Sequence, residues 1–236
     1  IVQAVFIYIG IAVAQEGCLV SGERARARAT LLLGALLASA VIPIPNFGQR
    51  EHLCLVASLP YLTLIARRAA GQPVLKRLAF AVGLFAASGF ALKHYFVLVP
   101  LALEVWLILT RRQSWSPWRP ELLALAGAAI CYGLAVLLVC PEYLTVMVPV
   151  LETAYSEYGS PLYGVLRDPH LPVWLLAGVV LYFRRKDAPW LARAAAVASS
   201  AFAVCYVIQH KWWGYQCLPI TGGLCVALAA LLADRS

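Results

Sequence analysis

The stretch Pro45–Leu53, PNFGQREHL, decides how this chain is read. TLLLGALLASAVIPI, Thr30–Ile44, precedes it, and LCLVASLPYLTLIA, Leu53–Ala66, runs on from it. Both flanks are apolar enough for a membrane. Between them stand Asn46, Gln49, Arg50, Glu51 and His52. Asn46 and Gly48 suit a turn, and Arg50 with Glu51 can form a local ion pair. Ionisable groups beside apolar segments are also costly, and such groups commonly serve function. On that second reading the stretch is one wall of a site.

The rest of the sequence supports the membrane reading of the flanks. Of 236 residues, 62% are hydrophobic and 13% charged, with a mean hydropathy of +0.80. Soluble domains carry about 45–50% apolar and roughly 25% charged residues. No polar linker divides the chain, so residues 1–236 read as a single transmembrane domain. Ile1–Gln15 is already apolar and lacks a charged leader and cleavage site, so it is not expected to be a signal peptide. The expectation is a chain whose N-terminal part is missing. Seven cysteines, none in a Cys-x-x-Cys pair, lie in or beside apolar runs and read as small buried hydrophobes.

Nine apolar segments are legible, at about 1–15, 29–45, 53–66, 78–92, 94–110, 121–140, 171–183, 188–208 and 216–232. The expected fold is therefore all-α, a polytopic transmembrane helical bundle of about nine hydrophobic segments. Several fall short of the roughly 20 residues that cross hydrocarbon. Segment 78–92 would span only about 23 Å as a helix. Lys93, His94 and Tyr95 at its end would then be recessed against protein or a watery cavity.

The net charge of +8 is distributed by side. Alternate connections place fifteen of the nineteen Lys and Arg on one side, including Arg24, Arg67, Arg68, Arg111, Arg119, Arg193 and Arg235. Only Arg50, Lys93, Arg167 and Lys211 fall on the other. This is a positive-inside pattern, and it makes the basic side cytoplasmic without any nucleic-acid partner. The opposite side collects all four histidines, His52, His94, His170 and His210, with Glu51, Glu142, Glu152, Glu157 and Asp168.

Three further stretches stand out on that side. LKHYF, Leu92–Phe96, interrupts an apolar run, and its Lys and His are donors that suit a phosphate. Lys93 is read as a lone cation, so Lys93→Met is expected to spare folding. Glu104 is expected to face the bundle interior, paired or protonated. QHKWWGYQ, Gln209–Gln216, joins amides, an imidazole and a cation to Trp212, Trp213 and Tyr215. An interfacial aromatic belt explains those rings, and so does stacking on a sugar or prenyl chain. The 141–170 loop reads as an interfacial amphipathic helix followed by a Gly-Ser-Pro turn, able to cover a lipid-substrate groove. No Walker A loop, His-Glu-x-x-His or Gly-x-Ser-x-Gly motif occurs, and no metal-ligand set is legible.

Taken in order, these features resemble the GT-C superfamily of integral-membrane glycosyltransferases, above all the polyprenyl-phosphate-sugar-dependent, mannosyltransferase-like bacterial enzymes. FGQREHL, Phe47–Leu53, opens an apolar helix as a Gly-Gln turn does there. ARRAAGQPVLKRLAFAVGLFAASGFALKHYFVLVPLALEVWLILTRR, Ala66–Arg112, follows with a basic loop, a small-residue helix, Lys at the turn and paired arginines. KWWGYQCLPITGGLCVALAAL, Lys211–Leu231, is similar to the start of a late helix in those transferases. The resemblance covers about Thr30–Leu232.

The resemblance implies transfer of a sugar from a polyprenyl-phosphate donor to an extracytoplasmic lipid or cell-envelope glycan. It implies a multi-pass protein of the bacterial inner membrane with its site facing the periplasm or exterior. The catalytic base would lie upstream of Ile1, with Glu51 a secondary candidate in this chain. Donor phosphate would be held by Lys93, Arg50, His94, His210 and Lys211. The substrate groove would be lined by Gln49, His52, Tyr95, Trp212, Trp213, Tyr215, Glu142 and Tyr155. Many relatives use a divalent metal and others none. Three other readings compete. A transporter or flippase for a lipid-linked or anionic solute would show polar groups continuing through the bundle. The others are a membrane acyltransferase or polymer ligase and a non-catalytic assembly subunit.

Overall fold

The computed structural model describes residues 25–234 except 157 and 160, and within them every regular element is helical. The expected segment 1–15, Cys18, Arg24, Glu157 and Arg235 lie outside the described residues. Helix α1, Ala25–Leu36, ends in a π turn at Leu37–Val41. The PNFGQ turn leads into α2, Arg50–Ala69, and α3 follows at Lys76–Phe90. A 3-10 turn at His94–Val97 opens α4, Leu98–Arg111, and α5 spans Pro120–Leu138. A π turn at Tyr143–Met147 leads into α6, Val148–Ser156, and a 3-10 turn at Leu162–Arg167 precedes α7, Leu171–Phe183. Helix α8, Trp190–Gln209, is followed by a 3-10 turn at Gly214–Cys217 and α9, Leu218–Ala233. Prolines at the first turns of α5, α7 and α9 fit, because the first helical amides have no intrahelical acceptor.

Four helices are long and apolar enough to cross a bilayer: His94–Arg111, Pro120–Leu138, Trp190–Gln209 and Gly214–Ala233. They support the reading of the chain as a helical membrane protein. The count of about nine spans is corrected to these four among the described residues. Segments 29–45 and 171–183 form helices of only 10–17 apolar residues. Segment 78–92 becomes the 15-residue α3, about 22 Å long. Segment 53–66 lies inside α2, which has the length but carries Arg50 and Glu51 at one end and Arg67 and Arg68 at the other.

Helix α2 is the hub, packed against α3, α4, α8 and α9, with 16 of its 20 residues buried. A helix buried on all faces needs apolar residues all round, and the run from Leu53 to Ala66 supplies them. Small residues let the helices around it approach closely, the usual device where lipid leaves no hydrophobic driving force between helices. A Cβ on Gly89 of α3 would strike Ala57 of α2, and one on Gly223 of α9 would strike Ser199 of α8. The second half of α5, with Ile130, Leu134, Leu137 and Leu138 exposed, is an apolar surface suited to lipid.

One end of the bundle carries a buried ionic network. Arg68 donates to both oxygens of Glu121, at 2.9 and 3.0 Å. Arg119 donates to Glu121 at 3.2 Å and pairs with Glu104 as well. The Tyr61 hydroxyl and the Trp115 indole N–H donate to the two Glu104 oxygens, each at 2.9 Å. Glu104 is therefore paired inside the bundle, one of the two states expected of it. Arg68 and Arg119 bind carboxylates rather than serving only as topological anchors.

Removing one member of a buried ion pair strands the other, at a cost of about 3–5 kcal/mol. Glu121→Ala leaves two guanidinium groups short of a partner. It is expected to lower unfolding stability in detergent micelles by about 3 kcal/mol, while Glu142→Ala, at an exposed site, leaves it unchanged within about 0.5 kcal/mol. Equal stability of the two variants would count against the network.

Candidate functional site

The opposite end of the bundle gathers the four stretches singled out in the sequence. The PNFGQ turn is closed from within. The Gly48 N–H, at φ +82°, donates to His52 Nδ1 at 3.0 Å, and His52 Nε2 lies 2.7 Å from the Ser39 carbonyl. An Nδ1 that accepts and an Nε2 that donates define a neutral imidazole tautomer. Phe47 packs on the same ring at 4.7 Å. His52 is completely buried, so its expected place in a substrate groove is corrected to that of a turn lock.

One residue earlier, Glu51 points into a second polar cluster. Its Oε1 pairs with Lys93, whose ammonium also donates to Gln209 Oε1 at 2.7 Å. Gln209 donates to the Cys205 carbonyl at 3.0 Å and accepts from Gln216 at 3.0 Å. The face of Tyr215 lies 5.8 Å from the Lys93 ammonium. Lys93 is thus recessed, as its short preceding helix implied, but it is not a lone cation. The other Glu51 oxygen, Oε2, is buried with no hydrogen-bond partner among the described residues. Gln209 and Gln216 carry this arrangement and were read in the sequence only as members of a polar stretch. Their one signal was two amides bracketing a helix-to-helix turn.

An aromatic and cationic rim extends from Tyr215. Trp213 lies 5.7 Å from Tyr215 and 6.4 Å from each of Tyr155 and Tyr158. Lys211 sits 3.6 Å over Tyr155 and 5.2 Å from Trp213. Partial burial there, and then the Lys93 charge, hold its ammonium below the usual lysine range. The 141–170 segment thereby reaches the cluster through the end of α6. Gln49, Arg50, His94 and His210 are exposed around it, and Tyr95 is half-buried with His94 against its ring at 3.7 Å. Glu142 is exposed and forms no ion pair with Arg50, Lys93 or Lys211 among the described residues.

The Gln209–Gln216 turn also serves a third cluster. His210 and Trp212 both adopt left-handed backbone, at φ +50° and +55°, which is rare for bulky residues. Trp212 packs on Tyr206 at 5.3 Å and donates to the Pro161 carbonyl at 3.1 Å. Gly164 lies so close to that indole that a Cβ would strike it. Tyr206 donates to Asp168 Oδ2, while the His170 backbone N–H, at 2.8 Å, and ring Nδ1, at 2.9 Å, meet Oδ1. Burial raises the Asp168 carboxyl, but these hydrogen bonds outweigh it and hold it below the ordinary carboxylate range. Cys217 Sγ lies 3.7 Å from His170 Nδ1. A cavity of about 400 Å³ is lined by Tyr163, Arg167, Asp168, His170 and Trp212 among others. No metal-ligand set was legible in the sequence; the fold brings the ligand-type atoms of Asp168, His170 and Cys217 within 4.8 Å of one another. No local pattern revealed this, because Cys217 is 47 residues from His170.

No protein-family model, curated protein or solved structure matches the chain.

Lys93→Met strands the Glu51 carboxylate, so the expectation that it spares folding is replaced by a loss of about 3 kcal/mol in detergent. Glu51→Gln with Lys93→Met removes both charges and is expected to recover most of that loss. A coupling energy of about 1.5–3 kcal/mol should emerge from the double-mutant cycle. Additive effects would show that the pair does not form.

Proposed function

We propose that the chain carries the lipid-phosphate site of a membrane glycosyltransferase. In this reading it moves a sugar from a polyprenyl-phosphate donor to an extracytoplasmic acceptor. The observation that carries it is the Glu51 carboxylate, with one oxygen on Lys93 and the other buried without a hydrogen-bond partner among the described residues, under a rim of rings and cations. An acceptor hydroxyl that reaches this buried oxygen finds no hydrogen-bond partner already on it among the described residues. Glu51 takes its proton, the hydroxyl oxygen attacks the anomeric carbon, and the bond to the phosphate oxygen breaks. The phosphate leaves with the electron pair. Lys211 and Arg50 stabilise its growing charge, and Lys93 contributes from behind Glu51. The aromatics Trp213, Tyr215 and Tyr155 supply stacking faces for a sugar or prenyl chain.

A transporter or flippase would use the same cations but needs polar groups through the bundle. Between Glu51 and Tyr61, ten residues or about 15 Å of α2, the buried side chains are mostly apolar, and the polar His52 and Ser58 are satisfied by the Ser39 and Leu55 carbonyls. That apolar interval separates the two polar ends and favours the transferase. Orientation follows the charge bias, with the Lys93 end facing the periplasm of a bacterial inner membrane.

Two experiments test this reading. Full-length protein in nanodiscs is assayed for transfer from a polyprenyl-phosphate sugar. Glu51→Gln is expected to cut turnover by about 10²-fold or more while retaining donor binding. Lys211→Met and Arg50→Met should weaken donor binding by about 10-fold each. Donor lipid bound without any transfer by the wild type would replace the transferase with the flippase. For sidedness, single cysteines are introduced at His94 or Gln113 after replacing the exposed native cysteines. An impermeant reagent is expected to label position 94 and spare 113 in intact cells, and the reverse would invert the orientation.

A further inference from the structure

We infer that Asp168, His170 and Cys217 form a binding site for a borderline-soft divalent cation of the zinc class, beside the cavity that Asp168 and His170 line. The inference rests on these side chains and stands apart from the transferase reading. Imidazole nitrogen, thiolate sulfur and carboxylate oxygen are the ligand types zinc takes, and a mixed set with sulfur disfavours magnesium and calcium.

The spacing suits such an ion. With metal–ligand bonds of about 2.0–2.3 Å, tetrahedral neighbours lie roughly 3.3–3.8 Å apart. His170 Nδ1 is 2.9 Å from Asp168 Oδ1 and 3.7 Å from Cys217 Sγ. All three ligand atoms lie within 4.8 Å of one another, so shifts of about 1 Å bring them into coordination. Asp168 and His170 flank a single proline, and the backbone N–H of His170 on Asp168 Oδ1 holds the two ligands in one tight turn. Cys217 is buried where the 3-10 turn meets α9. Three protein ligands leave a fourth position for water, and the adjacent cavity of about 400 Å³ has room for it.

The surroundings support the ligands. Tyr206 donates to Asp168 Oδ2 and the His170 backbone N–H to Oδ1, which orients the carboxylate so that the second lone pair of Oδ1 faces the imidazole and takes the ion. The Trp174 ring stacks near-parallel to the imidazole at 5.9 Å. Arg167, the cation lining the same cavity, lies over the Tyr163 ring at 5.4 Å. The proton balance is simple. Cys217 releases its thiol proton to solvent, and His170, bound through Nδ1, carries its ring proton on Nε2. Carboxylate and thiolate together match the two positive charges of the ion.

The intact protein, stripped with a chelator in detergent, is titrated with Co²⁺ and then Zn²⁺. About one Co²⁺ per chain is expected, with thiolate-to-cobalt charge-transfer absorption in the near ultraviolet that Zn²⁺ abolishes by displacement. Cys217→Ser should remove the band and weaken Zn²⁺ by more than about 100-fold, and Tyr206→Phe should weaken it by about 10-fold. Cys225→Ser should change neither. Because Cys217 is buried, His170→Ala at an exposed position is the second variant, also expected to weaken Zn²⁺ by more than about 100-fold. The site is overturned if folded wild type shows no charge-transfer band, if the band survives Cys217→Ser, or if folded His170→Ala binds Zn²⁺ as tightly as wild type.

Discussion

The Glu51–Lys93 ion pair is the contact on which the rest of this end of the molecule depends. Both side chains are nearly or fully withdrawn from solvent, and each charge alone would carry a desolvation penalty of several kcal/mol. The pair forms only if the start of α2 and the α3–α4 junction meet. Gln209 on the Lys93 ammonium adds the end of α8, and Gln216 on Gln209 adds the turn before α9. One ion pair and two amides therefore tie together the ends of the principal helices. At the same point Glu51 Oε2 is buried without a hydrogen-bond partner among the described residues.

The bundle confines its buried charges to two ends. Arg68, Glu121, Arg119 and Glu104 satisfy one another at the far end. Between them and Glu51, the buried side chains of α2 are mostly apolar. Glycines and alanines at the contacts of α2, α3, α8 and α9 keep the helices close enough to bury it.

The turn between α8 and α9 divides its side chains between two clusters. Gln209, Lys211, Trp213, Tyr215 and Gln216 belong to the Glu51–Lys93 assembly, and Trp212 and Cys217 belong to the Asp168 assembly. Left-handed backbone at His210 and Trp212 makes this division, at a strain of about 1–3 kcal/mol per residue. The contacts of Trp212 with Tyr206, Pro161 and Gly164 offset it.

The sequence by itself determined the helical membrane class, the positions of the four long apolar helices and the polar stretches between them. Composition and apolar run length report on the solvent around a segment, and a single segment is enough to read them. The number of spans was not legible, because runs such as 53–66 look alike whether they face lipid or are wrapped by other helices. Tertiary structure alone decided the partners. Arg50 is adjacent to Glu51 in the chain, yet Glu51 pairs with Lys93, and His52, which looked like a site residue, locks its own turn. Tertiary structure also brought Cys217 to His170, Arg68 to Glu121 and Arg119 to Glu104. Hydrogen bonds and ion pairs act over about 3 Å. Which side chains come that close depends on how the helices cross, and no local pattern in the sequence encodes that crossing.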